Sequence, residues 1–224
     1  MLKIRRKKKV FTPTGTSDLL IESIISNEAL YGKVLDLGAG TGYVGLKLSK
    51  SSESNFELYA SDLTNTSKQL IKLNAKLNKI KIIAKSGNLF APWKGNRFDF
   101  IVNDVSGISE QIANISNWFK GISCKSGKDG TNLTIKVINQ AKNYLNSKGV
   151  LYFPTLSLSK EKKILEAAKK KFKTVKKIAE KEWVLPKEMN SHQNLLEKMK
   201  KKGYIKYKKK FGLIIWTTKI YKAF

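Results

Sequence analysis

Along this chain, apolar runs of strand length alternate with stretches whose apolar residues recur at helical spacing. From Ser17 to Ser26, Leu19, Leu20, Ile24 and Ile25 share one helical face, with Ser17 as the expected N-cap. Lys33 to Leu37 predicts a first strand, and Gly42 to Lys50 a helix that turns Val44, Leu46 and Leu48 toward a core. Phe56 to Ser61 follows as a second strand, then Ser67 to Leu77 as a helix with Leu70, Leu73 and Leu77 on one side. Ile80 to Ala84 and Phe98 to Asn103 give strands three and four. Thr131 to Leu145 is a helix closed by Gly149, and Val150 to Pro154 a fifth strand. Strands alternating with helices predict βαβ units and a parallel sheet.

Beyond residue 159 lysine dominates the polar positions. Glu161 to Phe172 predicts an amphipathic helix, Thr174 to Val184 a sixth strand, Asn190 to Lys202 another helix and Phe211 to Tyr221 the last strand. Two late strands fit an antiparallel edge on a mostly parallel sheet. No internal repeat or linker divides the chain, so one domain is expected over residues 1–224. Within it, residues 1–10 form a basic N-terminal tail and residues 184–210 a lysine-rich helical insertion before the last strand.

The segment Asp36-Leu37-Gly38-Ala39-Gly40-Thr41-Gly42 runs from the first strand straight into the next helix. Glycines there allow a tight turn and a close approach without a Cβ, and a helix N-terminus offers N–H groups to a ligand. Asp62 ends the second strand 26 residues after Asp36. A carboxylate in that place can accept both hydroxyls of a ribose. Loop and acid together predict a nucleotide-like ligand. The frame from Gly40 to Gly45 also matches G-x-G-x-x-G, which leaves a nicotinamide-dependent oxidoreductase open, although in that frame the first glycine does not follow the strand directly.

Composition narrows the chemistry. No run approaches 18 apolar residues, so no membrane span is expected. The basic first nine residues are followed by no apolar stretch before Pro13, so no secretory signal is expected and the cytoplasm is the default compartment. Cys124 is the only cysteine and His192 the only histidine, which argues against a disulfide framework, a zinc or other metal site and a Ser-His-Asp triad. Cys124 is expected to be a plain loop thiol, and His192 a surface residue at a helix start. Trp93, Trp118, Trp183 and Trp216 are expected as core or lid residues ahead of base-stacking platforms. The net charge of +27 permits a nucleic-acid partner. However, only Arg5, Arg6 and Arg97 are arginine, the residue that forks onto phosphates, and a lysine-coated solvated face explains the charge equally well.

Asp36 to Gly42 resembles the D-x-G-x-G-x-G signature of class I S-adenosyl-L-methionine (SAM)-dependent methyltransferases. The chain is similar more narrowly to the HemK/PrmC-like group, which methylates protein glutamine, and to its relatives with a small methyltransferase domain. Pro13 to Ile21 resembles that group's entry motif, Ser86-Gly87-Asn88-Leu89-Phe90 its S/G-D-L-F segment, Phe98 to Asp104 its F-D-x-I-V-x-N, and Gly127 to Gly130 its G-x-D-G. The likeness covers roughly residues 10 to 155, and no separate helical N-terminal domain is expected. It implies a Rossmann-like class I methyltransferase fold, a mostly parallel seven-stranded sheet with an antiparallel last strand. It implies SAM as cofactor, held by Asp36, Gly38, Ala39, Gly40, Thr41 and Gly42 at its methionine end, by Asp62 at the ribose and by Asn88 near the adenine. Asp104 would face the acceptor, which the sequence leaves open between a protein side chain, such as one of a ribosome-associated protein, an RNA base and a small metabolite. The group's N-P-P-Y is replaced by Asp104-Val105-Ser106-Gly107. That loss of both prolines and the aromatic residue leaves the acceptor open, and also leaves open a non-catalytic module binding nucleic acid or protein.

Overall fold

The computed structural model describes residues 2–51 and 55–224. Parallel strands β1 (Gly32–Leu37), β2 (Phe56–Asp62), β3 (Ile83–Ser86), β4 (Phe98–Asn103) and β5 (Leu145–Leu156) form most of one sheet. Two more strands, β6 (Val175–Val184) and β8 (Leu213–Ala223), complete the order β3-β2-β1-β4-β5-β8-β6, with β8 antiparallel to both neighbours. The expected seven strands and antiparallel last strand are there. An eighth, β7 (Lys208–Lys210), also pairs antiparallel with β8. It escaped the sequence pattern because it is three exposed lysines with no apolar alternation. Its turn uses Phe211 (φ 50°) and Gly212 (φ 73°), both in the left-handed region that a two-residue hairpin favours.

Alternation along the strands supplies both faces of the sheet. Leu35, Leu37, Ile101, Leu151 and Phe153 meet α5 (Asn132–Ala141) and α6 (Glu161–Lys171), through Val137, Ile138, Ile164 and Ala168. Val34, Phe100, Val102, Val150 and Tyr152 meet α1 (Gly15–Ile25) and α2 (Tyr43–Ser51), through Leu20, Ile21, Ile24, Val44 and Leu48. Leu20, Ile24 and Leu48 are fully buried, and each such aliphatic side chain contributes about 1.5–3 kcal/mol relative to exposure. Helix α3 (Asn65–Leu77) lies against β2 and β3.

Element boundaries shift where side chains cap or break them. Thr14, not Ser17, is the N-cap of α1, and Ser17 sits in the first turn, where its Oγ accepts the Thr14 N–H at 3.4 Å. Ile80 belongs to the end of α3: its N–H reaches the Ala75 carbonyl at 3.0 Å while Lys79 takes φ 58°, so the third strand starts three residues later than expected. The helix expected over Thr131–Leu145 ends at Ala141, tightens to a 3-10 turn over Lys142–Tyr144 and releases Leu145 into β5. The helix expected over Asn190–Lys202 is two pieces, α7 (Lys187–Asn190) and α8 (Gln193–Lys201), parted at Ser191 and His192.

The basic N-terminal segment is not a free tail over the residues described. Leu2 and Ile4 pack against Leu46, Leu58 and Ala75. Asn78 and Asn74, one turn apart on α3, each pair with a tail backbone unit, at Lys3 and at Arg5. The 184–210 region likewise makes its own core. Leu185, Met189, Leu196, Met199, Ile205 and Tyr207 pack with Leu158, Ile214 and Trp216, and with Ile108, Ile112 and Phe119 on and beside the short helix α4 (Glu110–Asn114).

Candidate active site at the ends of the parallel strands

Parallel register brings the C-terminal ends of β1, β2 and β4 side by side, with Leu37 opposite Ser61 and Asn103. The loops that leave those ends carry Gly38, Asp62 and Asp104 into one cavity of about 440 Å³, within the range of small-ligand sites. Strand ends at a place where the sheet order reverses are where open α/β sheets hold ligands. Gly87, Asn88 and Leu89 after β3 extend this wall, and Phe11, Thr14, Gly15 and Thr16 cross over it.

The glycine loop is held chiefly by its own backbone. The Gly38 and Ala39 N–H groups both donate to the Ser61 carbonyl, at 2.9 and 3.0 Å, and the Gly42 N–H donates to the Ala39 carbonyl at 2.6 Å. The Gly40 N–H donates to Asp62 Oδ2 at 2.9 Å, which joins the loop directly to the predicted ribose-binding acid. These four loop donors are therefore committed within the protein, and at the start of α2, where N–H groups were expected to face a ligand, Gly45 gives its own to Asp36. The tight turn expected of the glycines is there, and close protein neighbours give a further reason for them. At Gly38 (φ 80°) an added Cβ would lie 2.7 Å from Val105 Cγ1, and at Gly40 (φ 52°) it would lie 3.1 Å from the Phe11 carbonyl oxygen. The close neighbours are protein, so the glycines let the loop after β4 and the N-terminal segment close over β1.

Asp36 is fully buried behind the loop and does not line the cavity. Its Oδ2 accepts the Gly45 N–H at 2.8 Å, and its Oδ1 has no partner among the described residues. Burial pushes its carboxyl up to about 7 against the pull of the Gly45 N–H, with Asp104 and Asp62 adding repulsion. The Thr41 hydroxyl and Asn103 Nδ2, the latter opposite Leu37 in the sheet, are likewise buried without a partner among the described residues. Ala39, Thr41 and Gly42 are buried and, like Asp36, sit behind the lining. Asn88 lines the cavity and is exposed.

Asp104 is held from two sides. Its N–H donates to the Leu37 carbonyl at 3.1 Å, and its Oδ2 accepts the Ser17 hydroxyl at 2.7 Å. Burial pushes its carboxyl up to about 7, the Ser17 bond opposes the rise and the Asp18 charge adds to it. Asp18 in turn accepts the Tyr43 hydroxyl at 2.6 Å. Asp104 does not cap α4, since Ser109 is the residue that precedes that helix. The role of Ser17 was hidden in the sequence, because a partner 87 positions away leaves no local signal.

Opposite these polar groups the cavity is aromatic. Trp118, Phe119, Trp183 and Trp216 line it together with Phe11. Trp118 and Trp183 lie 5.5 and 6.2 Å from Trp216, centroid to centroid, and Phe11 lies 5.1 Å from Phe119. Trp93 alone of the four tryptophans is pure core, fully buried with its Nε1 on Ser61 Oγ at 2.8 Å. Cys124 is a half-buried loop thiol near the Ile108 carbonyl and Ser126, and His192 is exposed at the start of α8. Among the described residues no group of three or more His, Cys, Asp or Glu could hold a metal ion, and no helix is long and apolar enough to cross a membrane.

Residues 2–104 match the family model described as the methyltransferase small domain. A release factor glutamine methyltransferase of Thermodesulfovibrio yellowstonii is 26% identical over 161 residues, covering 67% of this chain and 57% of that protein. A putative protein N5-glutamine methyltransferase of Methanocaldococcus jannaschii is 26% identical over 168 residues, covering 75% and 83%. Among the release factor glutamine methyltransferases matched, this chain spans between 39% and 57% of their length. In fold, a putative RNA methyltransferase of Pyrococcus horikoshii superposes with TM-score 0.60 at 14% identity, over 98% of this chain and 92% of that one. These findings favour neither the nicotinamide reading nor the non-catalytic one.

Proposed function

We propose, from a chain that carries over residues 2–104 a methyltransferase small domain of the HemK-like, class I group, that it is a SAM-dependent methyltransferase acting on a protein side chain or an RNA. The observation that carries this reading is the 2.9 Å bond from the Gly40 N–H to Asp62 Oδ2, because it fixes a carboxylate on the cavity wall beside the glycine loop. The residues present fit the cofactor. Asp62 on the wall would accept the ribose hydroxyls, Asn88 and Leu89 would flank the adenine, and Gly38 would border the methionine end. Asp36, Ala39, Gly40, Thr41 and Gly42 would shape that end from behind. Three carboxylates, Asp36, Asp62 and Asp104, also lie close enough to raise the first one's pKa, a field that favours a cation.

When bound, SAM supplies a methyl group on a positively charged sulfur that departs as a neutral thioether. The protein therefore supplies mainly proximity and orientation. Asp104 faces the acceptor, held by Ser17, and its Oδ1 is the oxygen that Ser17 leaves open for a proton. A carboxyl lifted to about 7 is matched to proton transfer near neutral pH. The 1–224 chain would act as one domain, with residues 184–210 as a cap whose core continues under the aromatic wall. The relatives named for release factors make a ribosome-associated acceptor the first to test.

Calorimetry with the purified chain tests the cofactor, and S-adenosylhomocysteine should bind with a dissociation constant between about 1 μM and 1 mM. No heat at saturating ligand defeats the reading. Labelled SAM added to a fractionated lysate of the source cell then identifies which fraction, protein or RNA, takes up label.

A further inference from the structure

We infer that the aromatic wall of the cavity is an acceptor subsite for the flat ring of a nucleobase, presented by a single strand of RNA. This rests on the reading of the polar wall as the cofactor seat. The first ground is the loss of side chains after Asp104. Val105-Ser106-Gly107 carries no aromatic residue, and a Cβ added at Gly107 would meet Thr134 Oγ1 at 3.5 Å, Leu156 Cδ1 at 3.7 Å and the Val105 carbonyl oxygen at 3.9 Å. Those are ordinary van der Waals contacts, so a small side chain would fit there, and the chain supplies none. The aromatic surface comes instead from three separate places: Trp118 after α4, Trp183 on β6 and Trp216 on β8.

The second ground is Trp216. It is 5% exposed, it lines the cavity, and its Nε1 is buried with no partner among the described residues. Trp183, by contrast, places its Nε1 on Thr218 Oγ1 at 3.1 Å. An unpaired buried donor is costly, and a base inserted among these packed indoles would bring the missing acceptor to it while stacking on an indole face.

The third ground is charge on the same elements. Residues 160–210 hold nineteen lysines against six glutamates. Lys181 Nζ stands 4.7 Å from the Trp183 ring centroid, and Lys9 lines the cavity itself. At the β7–β8 turn, Phe211 is 91% exposed directly after Lys208, Lys209 and Lys210, an aromatic face set in cations outside the cavity. Lysines grip phosphate as point charges without reading bases, and exposed aromatic rings stack on any base. A peptide side chain would use the charge but not this much π-surface, so RNA is favoured over an acidic protein.

The test is binding of the full chain to a mixed-sequence single-stranded RNA of about 15 nucleotides, read by tryptophan quenching and filter retention, with poly-glutamate as the charge-matched rival. The RNA should bind tighter than poly-glutamate at equal salt, with log affinity falling by roughly 0.7 per phosphate neutralised for each decade of salt. Phe211→Ala, on a fully surface ring that cannot unfold the core, should weaken RNA binding about tenfold, and Trp216→Phe, which keeps a ring but removes the donor, should do likewise. Both variants should bind S-adenosylhomocysteine as the parent does. Equal affinity for poly-glutamate, or RNA affinity untouched by Trp216→Phe, overturns the inference, and an effect of Phe211→Ala alone overturns it too, because that ring lies outside the cavity. Loss of S-adenosylhomocysteine binding in the parent chain overturns the cofactor reading instead, and the two failures are told apart because the RNA measurement needs no cofactor.

Discussion

The two walls of the cavity are built in opposite ways. The polar wall stands on β1, β2 and β4, whose parallel register forces Gly38, Asp62 and Asp104 together, and short backbone and carboxylate bonds hold it. The aromatic wall stands on two late strands and on the turn after α4, packed against the cap, where Trp118, Trp183 and Trp216 meet across long stretches of sequence and are held by packing. One wall is suited to a ligand of fixed shape, the other to a partner whose flat surface and charge matter more than its outline. Geometry fixed by hydrogen bonds tolerates little change, whereas a packed apolar surface can be re-sculpted by substitution.

The largest expected effect sharpens the contrast at the point where the walls meet. Asp104→Asn should lower turnover by roughly 100- to 10,000-fold while S-adenosylhomocysteine still binds, the size expected for loss of a general base. Its pH behaviour adds a second readout. A carboxyl raised from 3.8 to about 7 binds its proton more tightly folded than unfolded, so its stabilising contribution is complete below about 4 and is lost as pH rises toward and through 7. The Asn variant should therefore melt above the wild type at pH 8 and lose that advantage near pH 4. Turnover of the wild type should climb through pH 7 and level off. Parallel melting curves at both pH values would remove Asp104 from the buried, proton-poised position described here.

Next in size is Asp62→Ala, which should cut S-adenosylhomocysteine affinity roughly 100-fold, the loss of two charge-assisted hydrogen bonds, and leave RNA retention unchanged. If both ligands weaken together, the walls are not separable. Asn74→Ala comes third. This buried amide accepts the Arg5 N–H at 2.8 Å and donates to the Arg5 and Thr41 carbonyls at 3.0 and 2.9 Å, tying the N-terminal segment to the glycine loop. Its loss should cost roughly 2–3 kcal/mol and lower the melting midpoint by about 5–10 °C. Thermal unfolding with and without S-adenosylhomocysteine measures both consequences, and an unchanged midpoint would mean that the strap is held elsewhere.

The polar wall was largely legible in the sequence, and the aromatic wall was not. Asp36 to Gly42 and Asp62 sit at strand ends that hydrophobic periodicity located within a residue, so their proximity followed from the βαβ pattern alone. What the pattern could not tell is which partner each glycine serves: Val105 and Phe11 lie 67 and 29 positions from Gly38 and Gly40, and such contacts leave no trace in local spacing. The tryptophans were expected as core or lid, and Trp93 is core. The other three became a wall only because residues 184–210 fold into a second core under them, a tertiary outcome invisible in a lysine-rich stretch of modest periodicity. The same blindness hid β7, since three consecutive lysines carry no strand signal until β8 offers them a partner.

The smallest expected effect concerns the charges that cover the basic half. Lys162 Nζ lies 3.9 Å from Glu166 Oε1 one turn along α6, with side chains 82% and 57% exposed. Such a pair is screened by water and salt and contributes at most about 0.5 kcal/mol. Glu166→Gln should therefore shift the melting midpoint by no more than about 2 °C. If the lysines of this half serve a polyanion and not the fold, the same substitution removes a negative charge from the surface and should raise RNA affinity slightly at low salt, with the gain vanishing as salt is added. A drop of many degrees would mean that this half depends on its ion pairs for stability, and the division between a hydrogen-bonded wall and a packed, partner-facing one would no longer hold.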